Sequence, residues 1–410
     1  MKVAIIGGGA AGFFSAIAVK DNYPNAEVVI LEKSQKLLSK VKISGGGRCN
    51  VTNGTNSISQ LAKSYPRGSK QLKKLFKIFN NRDCMGWFET RGVPLMIQEE
   101  DDCVFPVSQD SQSIIDCFMS EARQQQISIK TGHGVKALTL DNKRIRLQFI
   151  KSLPDEIFDR VIVATGGSPK RSGLVWLEEL GLSIVDPVPS LFTFNMPSES
   201  ITKLMGIVVE SALVKIPGTK LSATGPLLIT HWGMSGPAIL KLSAFGARIL
   251  YDCDYYFQVQ VNWVNTQNNN LVIDSLKEII DTHPKKQLAN YRPFALPERL
   301  WLYLIDKAEL PKTKLWQDLG KSGIHKLTNL LCNDLYAVKG KTTFKEEFVT
   351  CGGVALENIN FKTMSSLAHP NLYFAGELLD IDGITGGYNF QAAWTTAYVA
   401  GRLLLSLIHI

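Results

Sequence analysis

Gly7, Gly9 and Gly12 follow a short apolar run (Lys2, Val3, Ala4, Ile5, Ile6) and open a stretch of helical apolar spacing from Ala10 to Lys20. No other feature limits the fold so tightly. Glycines at G-x-G-x-x-G spacing, placed there, require a strand, a tight turn and a helix. The first permits the turn, the second lets backbone approach a pyrophosphate, and the third lets helix pack on strand. The N–H groups that open the helix, at Ala10 and Ala11, then face phosphate. A second apolar strand, AEVVILEK, follows. Glu32 ends it about 20 residues beyond Gly12, where an acid meets ribose hydroxyls. The result is a βαβ unit of about 30 residues, and it predicts an adenine dinucleotide.

Other small-residue runs decide which dinucleotide. An NAD-dependent dehydrogenase needs only the βαβ unit and would leave them unexplained. A flavin dinucleotide is longer and stays bound, so it needs backbone contacts along its whole length. The run ATGG, with Thr165, Gly166 and Gly167, ends the apolar strand RVIV, and FAGELLD, with Gly376, Glu377 and Asp380, ends another. Strand C-termini are where ligands sit in such sheets, and residues without a side chain let backbone lie against a flat ring. FAD is therefore expected over NAD.

At 410 residues, with 45% hydrophobic and 20% charged residues, the chain reads as a globular protein of two or three structural units. The net charge of +8 suits an anionic cofactor or a nucleic acid, and also serves solubility. Seven scattered cysteines without a C-x-x-C pair argue against a disulfide framework or a zinc site, and for a reducing, cytoplasmic setting. No apolar run reaches the roughly 18 residues of a membrane span. The terminal LLLSLIHI is expected to be the buried end of a helix rather than an anchor.

Prolines cluster in VDPVPSLFTFNMP, which marks a domain crossing. Short β-branched, turn-punctuated stretches follow to about Gly225, then helical patterns from Leu271 to Leu335, broken by prolines. FVTCGGV, NLYFAGELLD and GGYNFQAAWTTAYVAGRLL return to strand, strand and long helix. The chain is thus expected to leave a nucleotide domain, build an insertion and come back. Between Ser69 and Phe79, Leu72, Leu75, Phe76 and Phe79 share one helical face and four lysines occupy the other.

KISGGGRCNVTNG, THWGMSGPAIL, VTCGGV and LYFAGELLDIDGITGGYNFQAAWTTAYVAG resemble the BaiN/RdsA-type flavoprotein family, over nearly the whole chain. The resemblance implies an α/β fold: a glutathione-reductase-like FAD-binding Rossmann domain interrupted by an inserted β-barrel and a small helical subdomain. The corresponding boundaries are 1–190 and 351–410 for the FAD-binding domain, 191–270 and 336–350 for the barrel, and 271–335 for the helical part. It also implies that Ser44, Gly45, Gly46 and Gly47 lie along the flavin, with Arg48, Cys49 and Asn50 beside them as polar or small neighbours. Lys33 and Val135 complete that cofactor-binding set. Two departures bear on the substrate entrance. SPKRSGLVW stands where many relatives carry a longer stretch after ATGG, and DDCVFP stands where an Arg often precedes the Phe-Pro.

Within GITGGYNFQAA, Gly386 and Gly387 precede a helix from Tyr388, whose N-terminus would stabilise negative charge on a reduced flavin. Asn389 and Gln391 are expected to add donors. Cys49 and His231 are weak catalytic candidates against packing and turn-forming roles. Gly352 and Gly353 are expected at the substrate face, Asp380 or Glu377 at the ribityl hydroxyls, and Asp382 in water. The activity expected is transfer of hydride from NAD(P)H to an activated C=C bond of a small molecule. Reduction of uridine to dihydrouridine in ribosomal RNA is the alternative, supported by Lys63, Arg67, Lys70, Lys73, Lys74, Lys77 and Arg82. A flavin-stabilised interaction protein is a third class.

Overall fold

The computed structural model describes residues 1–141, 143–150, 152–342 and 349–404. It divides into one unit of Met1–Ser190 with the described part of Lys345–Ile410, and a second spanning Leu191–Phe344. Residues 405–410, most of the expected terminal helix end, and residues 343–348 of the expected barrel return lie outside the described residues.

Five parallel strands form the heart of the first unit, in the order Ser128–Thr131, Glu27–Glu32, Lys2–Ile6, Arg160–Val163, Leu372–Phe374. Ser365–Ser366 and Ile359–Asn360 extend the far edge antiparallel. The first strand is central, so Val3 to Ile5 are fully buried, as a strand covered on both faces requires. Its C-terminal end delivers the chain to Gly7 beside the ends of two neighbours, where such sheets bind ligands.

Two helices pack on each other beside this sheet, Ala10–Asn22 and Tyr388–Gly401. Their contact is close because Gly401 has no side chain: a Cβ there would lie 2.5 Å from that of Ala18 and 3.0 Å from the Ser15 carbonyl. Phe14, Phe88, Phe118 and Trp394 fill the space around them. The Ser69–Phe79 pattern folds as a helix only over Ser69–Leu75, and its apolar face, Leu72, Leu75, Phe76 and Phe79, is buried as expected.

The second unit holds a seven-stranded sheet whose neighbouring strands all run antiparallel. Asp334–Lys339 pairs with Tyr256–Asn262 at one end of the strand order. Immediately after Gly340, Lys341–Thr342 pairs with Thr193–Asn195 at the other end. One chain segment thus joins both ends of the strand order and curls the sheet toward a barrel. Helices Asn269–Thr282, Glu298–Lys307 and Gly320–Asn333 supply the helical part. A further helix, Pro237–Asp252, starts with proline at its first turn, where the missing N–H costs nothing.

Candidate cofactor site

The first helix begins at Ala10 with Gly9 as its cap. No side chain caps it and no acid stands in its first turn. Its opening N–H groups therefore have no partner within the helix. The three motif glycines do different jobs. A Cβ at Gly7 would collide with the Ala164 carbonyl, and one at Gly12 with the Gly7 carbonyl, so both are fixed by backbone packing. At Gly9 a Cβ would meet nothing within 4 Å. The chain leaves open space where the motif needs close approach to a ligand. Glu32 accepts from the Gly8 N–H and the Ser34 N–H, each at 2.8 Å, so this carboxylate braces the turn as well as marking the strand end. Lys33 is exposed beside it, and Val135 follows His133, whose N–H donates to the Glu32 carbonyl.

The Ser44–Gly47 segment is a tight turn. Gly45, Gly46 and Gly47 all have positive φ (57°, 69° and 87°), a run that residues with a Cβ resist. Gly45 is pressed against Phe105 and Asn50, whereas a Cβ at Gly46 or Gly47 would meet nothing within 4 Å. Arg48 lies over the Phe105 ring at 4.0 Å, and its Nε donates to the Gly45 carbonyl at 3.1 Å. The guanidinium thus holds the turn in shape. Ser44 is likewise tied inward, through its hydroxyl to the Val41 carbonyl.

Hydrogen bonds bring this run to the last helix. The Asn50 amide, oriented to satisfy both its groups, donates to the Thr52 carbonyl at 2.8 Å and accepts from the Gly387 N–H at 3.2 Å. Asn53 Nδ2 donates to the Gly386 carbonyl at 3.3 Å, and the Tyr65 hydroxyl to the Tyr388 carbonyl at 2.6 Å. A Cβ at Gly387 would collide with Thr52 backbone. The helix beginning at Tyr388 has no acid in its first turn and no cap from the side chain of its own cap residue, so beyond the Gly387 N–H held by Asn50 its opening N–H groups have no partner within the helix.

The strand-end runs close the group. Gly166 is open, and Gly167 lies against Thr350 and Glu377. At Gly376 a Cβ would press to 2.8 Å from that of Ala11, joining this run to the first helix. Glu377 pairs with Lys40 at 2.7 Å and accepts from the Thr350 N–H at 3.1 Å. Asp380 accepts from the Gly352 N–H at 2.8 Å. Four runs separated in sequence therefore meet in one unit, with open positions at Gly9, Gly46, Gly47 and Gly166. Two uncapped helix starts belong to the same set, and these residues fit an elongated anionic dinucleotide.

Several expectations need correction. Asp382 does not face water: it is fully buried and binds Arg67 through both oxygens, with Ser190 donating a third bond. Arg67 accordingly leaves the exposed basic set. Burial pushes the Asp382 carboxyl up, and the pull of Arg67 and Ser190 only partly reverses this. Gly352 and Gly353 do not border an open face. Both are buried, and a Cβ would strike the Asp186 and Leu378 carbonyls. The side chains of Asn389 and Gln391 do not project as donors. Asn389 is spent on Gly383, and Gln391 is buried between Thr52 and Thr395. Free donors at that helix start come from its backbone.

Cys49 is fully buried, and burial pushes its thiol up to about 12, so it is a packed thiol at neutral pH. His231 lies in the second unit, exposed at a turn with its ring edge-on to Trp232 at 4.5 Å. Lys40, which the motifs do not single out, also joins the residues of the candidate site through its ion pair with Glu377. Its signal is only a lysine shortly before a glycine run. Among the described residues, no helix is long and apolar enough to cross a membrane and no His/Cys/Asp/Glu cluster could hold a metal.

Residues 1–403 match the HI0933-like protein Rossmann domain. The 3-dehydro-bile acid delta(4,6)-reductase of Clostridium scindens is 28% identical, over 98% of each chain. The ribosomal RNA dihydrouridine synthase of Escherichia coli is 27% identical over 98% of this chain and 97% of its own. Among solved structures, the 3-ketosteroid-delta4-(5alpha)-dehydrogenase of Rhodococcus jostii RHA1 superposes with a TM-score of 0.51. It has 13% identity over 97% of this chain and 96% of its own, a likeness of fold. The chain belongs to the HI0933-like Rossmann family and has the FAD-type Rossmann fold and oxidoreductase character of that family.

Proposed function

We propose that this chain binds FAD, takes hydride from NAD(P)H and reduces an activated C=C bond of a small molecule. One observation carries the reading: four glycine runs meet around two uncapped helix N-termini, leaving space where side chains would otherwise stand. When bound, FAD supplies a two-electron carrier that accepts hydride from one partner and passes it to another. This chain's own part is positional. The first helix offers N–H groups to phosphate, the turn Ser44–Gly47 offers bare backbone, and the helix from Tyr388 offers N–H groups to negative charge. A relative named as a reductase of a bile-acid double bond, matched end to end, favours a small-molecule acceptor. A cytoplasmic setting belongs to the same proposal.

A specific observation favours the second reading, reduction of uridine in ribosomal RNA. Lys63, Lys70, Lys73, Lys74, Lys77 and Arg82 are all exposed, and none of them pairs with an acid among the described residues. Two curated relatives carry the name ribosomal RNA dihydrouridine synthase. Anaerobic titration of the FAD-loaded chain with NADH and NADPH tests the shared step. Bleaching of the flavin band, and its return on adding an enone, is expected; a band that neither nucleotide bleaches contradicts the reading. RNA binding that weakens steeply with salt and is lost in the K70E/K73E/K74E variant would move the acceptor from small molecule to RNA.

A further inference from the structure

The Lys40–Glu377 pair lies beside the start of the first helix, where the proposed diphosphate would sit. Leu38 donates its N–H to the Gly8 carbonyl at 2.9 Å, which fixes the start of the short helix Ser39–Ile43 beside the first glycine run. Two residues later, Lys40 Nζ reaches Glu377 Oε2 at 2.7 Å. Glu377 follows Gly376, the residue in contact with Ala11. The ion pair therefore joins a segment anchored on Gly8 to one anchored on Ala11, and between them lies the uncapped start of the first helix. Glu377 Oε1 is also 2.6 Å from where a Cβ of Gly167 would stand.

Two carboxylates, Glu32 and Glu377, border this helix start, and a dinucleotide brings two phosphates to it. Glu32 is already engaged by the Gly8 and Ser34 N–H groups. Glu377 is offset by Lys40, whose side chain stays 51% exposed while that of Glu377 is 18% exposed. An ammonium has three donors and can serve two anions at once. Glu377 is largely buried although the Lys40 ammonium is not, so replacing Lys40 also costs some folding stability, and affinity has to be read beside the melt.

We propose that Lys40 and Glu377 form an ionic clasp across the first helix start, in which the Lys40 ammonium is shared between Glu377 and the diphosphate of the bound dinucleotide. This rests on the cofactor reading above. Lys40 acts as a binding residue and Glu377 as the residue that positions it. Removing Lys40 deletes a charge-assisted bond and leaves the Glu377 carboxylate facing phosphate.

The test measures affinity for ADP and for FAD, by calorimetry and flavin fluorescence, in the wild-type chain, K40M, E377Q and K40M/E377Q, with a thermal melt of each free chain. K40M is expected to weaken ADP and FAD about ten- to a hundredfold, with the free chain still melting in one cooperative transition. K40M/E377Q is expected to recover part of that loss. Wild-type affinity in K40M, or a double variant no tighter than K40M, overturns the clasp. A wild-type chain that binds neither ADP nor FAD instead overturns the cofactor reading on which it rests.

Discussion

Gly9 and Gly12 are three residues apart in one motif, yet a methyl group would be received at them in opposite ways. Gly9 has φ −95° and open space beside it, so Gly9→Ala should fold normally. Its methyl group would stand in the space meant for phosphate and cost binding about 1–3 kcal/mol, roughly ten- to a hundredfold in FAD affinity. Gly12→Ala drives the same group into the Gly7 carbonyl and should cost more than about 3 kcal/mol of folding stability. Thermal melts beside flavin titrations of the two variants separate these effects. A Gly9→Ala chain that binds FAD like the wild type would show that the open space serves no ligand. The same logic of position explains Cys49, whose neighbours in sequence are the polar Arg48 and Asn50 but whose side chain is fully buried in the core of the first unit.

Strand Glu156–Phe158 shows how one element holds another in place. Glu156 receives Lys2 at 3.2 Å and Lys130 at 2.8 Å, tying the central strand Lys2–Ile6 and the edge strand Ser128–Thr131 to one carboxylate. Burial acts to raise its pKa, but the hydrogen bonds and charges of the two lysines outweigh that and hold it below the ordinary 4.5. A carboxyl with a lowered folded pKa stabilises the fold above its unfolded value and loses that contribution as pH falls through its folded value. Glu156→Gln should therefore cost up to about 1 kcal/mol at neutral pH, a modest figure because solvent screens the pair. The difference from wild type should shrink as the pH drops below 4.5. Urea unfolding at pH 7 and at pH 3.5 checks this; a difference that is constant or grows toward acid would contradict it. A three-residue strand such as this carries too little pattern to be read, whereas RVIV before ATGG, or Leu72, Leu75, Phe76 and Phe79 on one face, were legible because period and punctuation are local.

At the scale of the whole molecule, what the sequence conceals is which distant residues meet. Arg67 and Asp382 are 315 positions apart, and each looks like surface charge until the fold places them together in the interior. Lys40 and Glu377 are 337 positions apart. The four glycine runs were visible one by one, because bare backbone and positive φ leave a mark in composition. Their convergence depends on the parallel order of strands Lys2–Ile6, Arg160–Val163 and Leu372–Phe374, which delivers three loops to one sheet edge. Asn389 and Gln391 were misjudged for the same reason, since a polar side chain at a helix start can face ligand or chain, and only the neighbours decide. Hydrogen–deuterium exchange of the chain with and without FAD tests the convergence most directly. If one dinucleotide lies against all the runs, segments 7–12, 44–50, 164–167 and 376–391 should gain protection together at a single FAD concentration. Protection confined to 7–12, with the other segments exchanging as in the free chain, would contradict it.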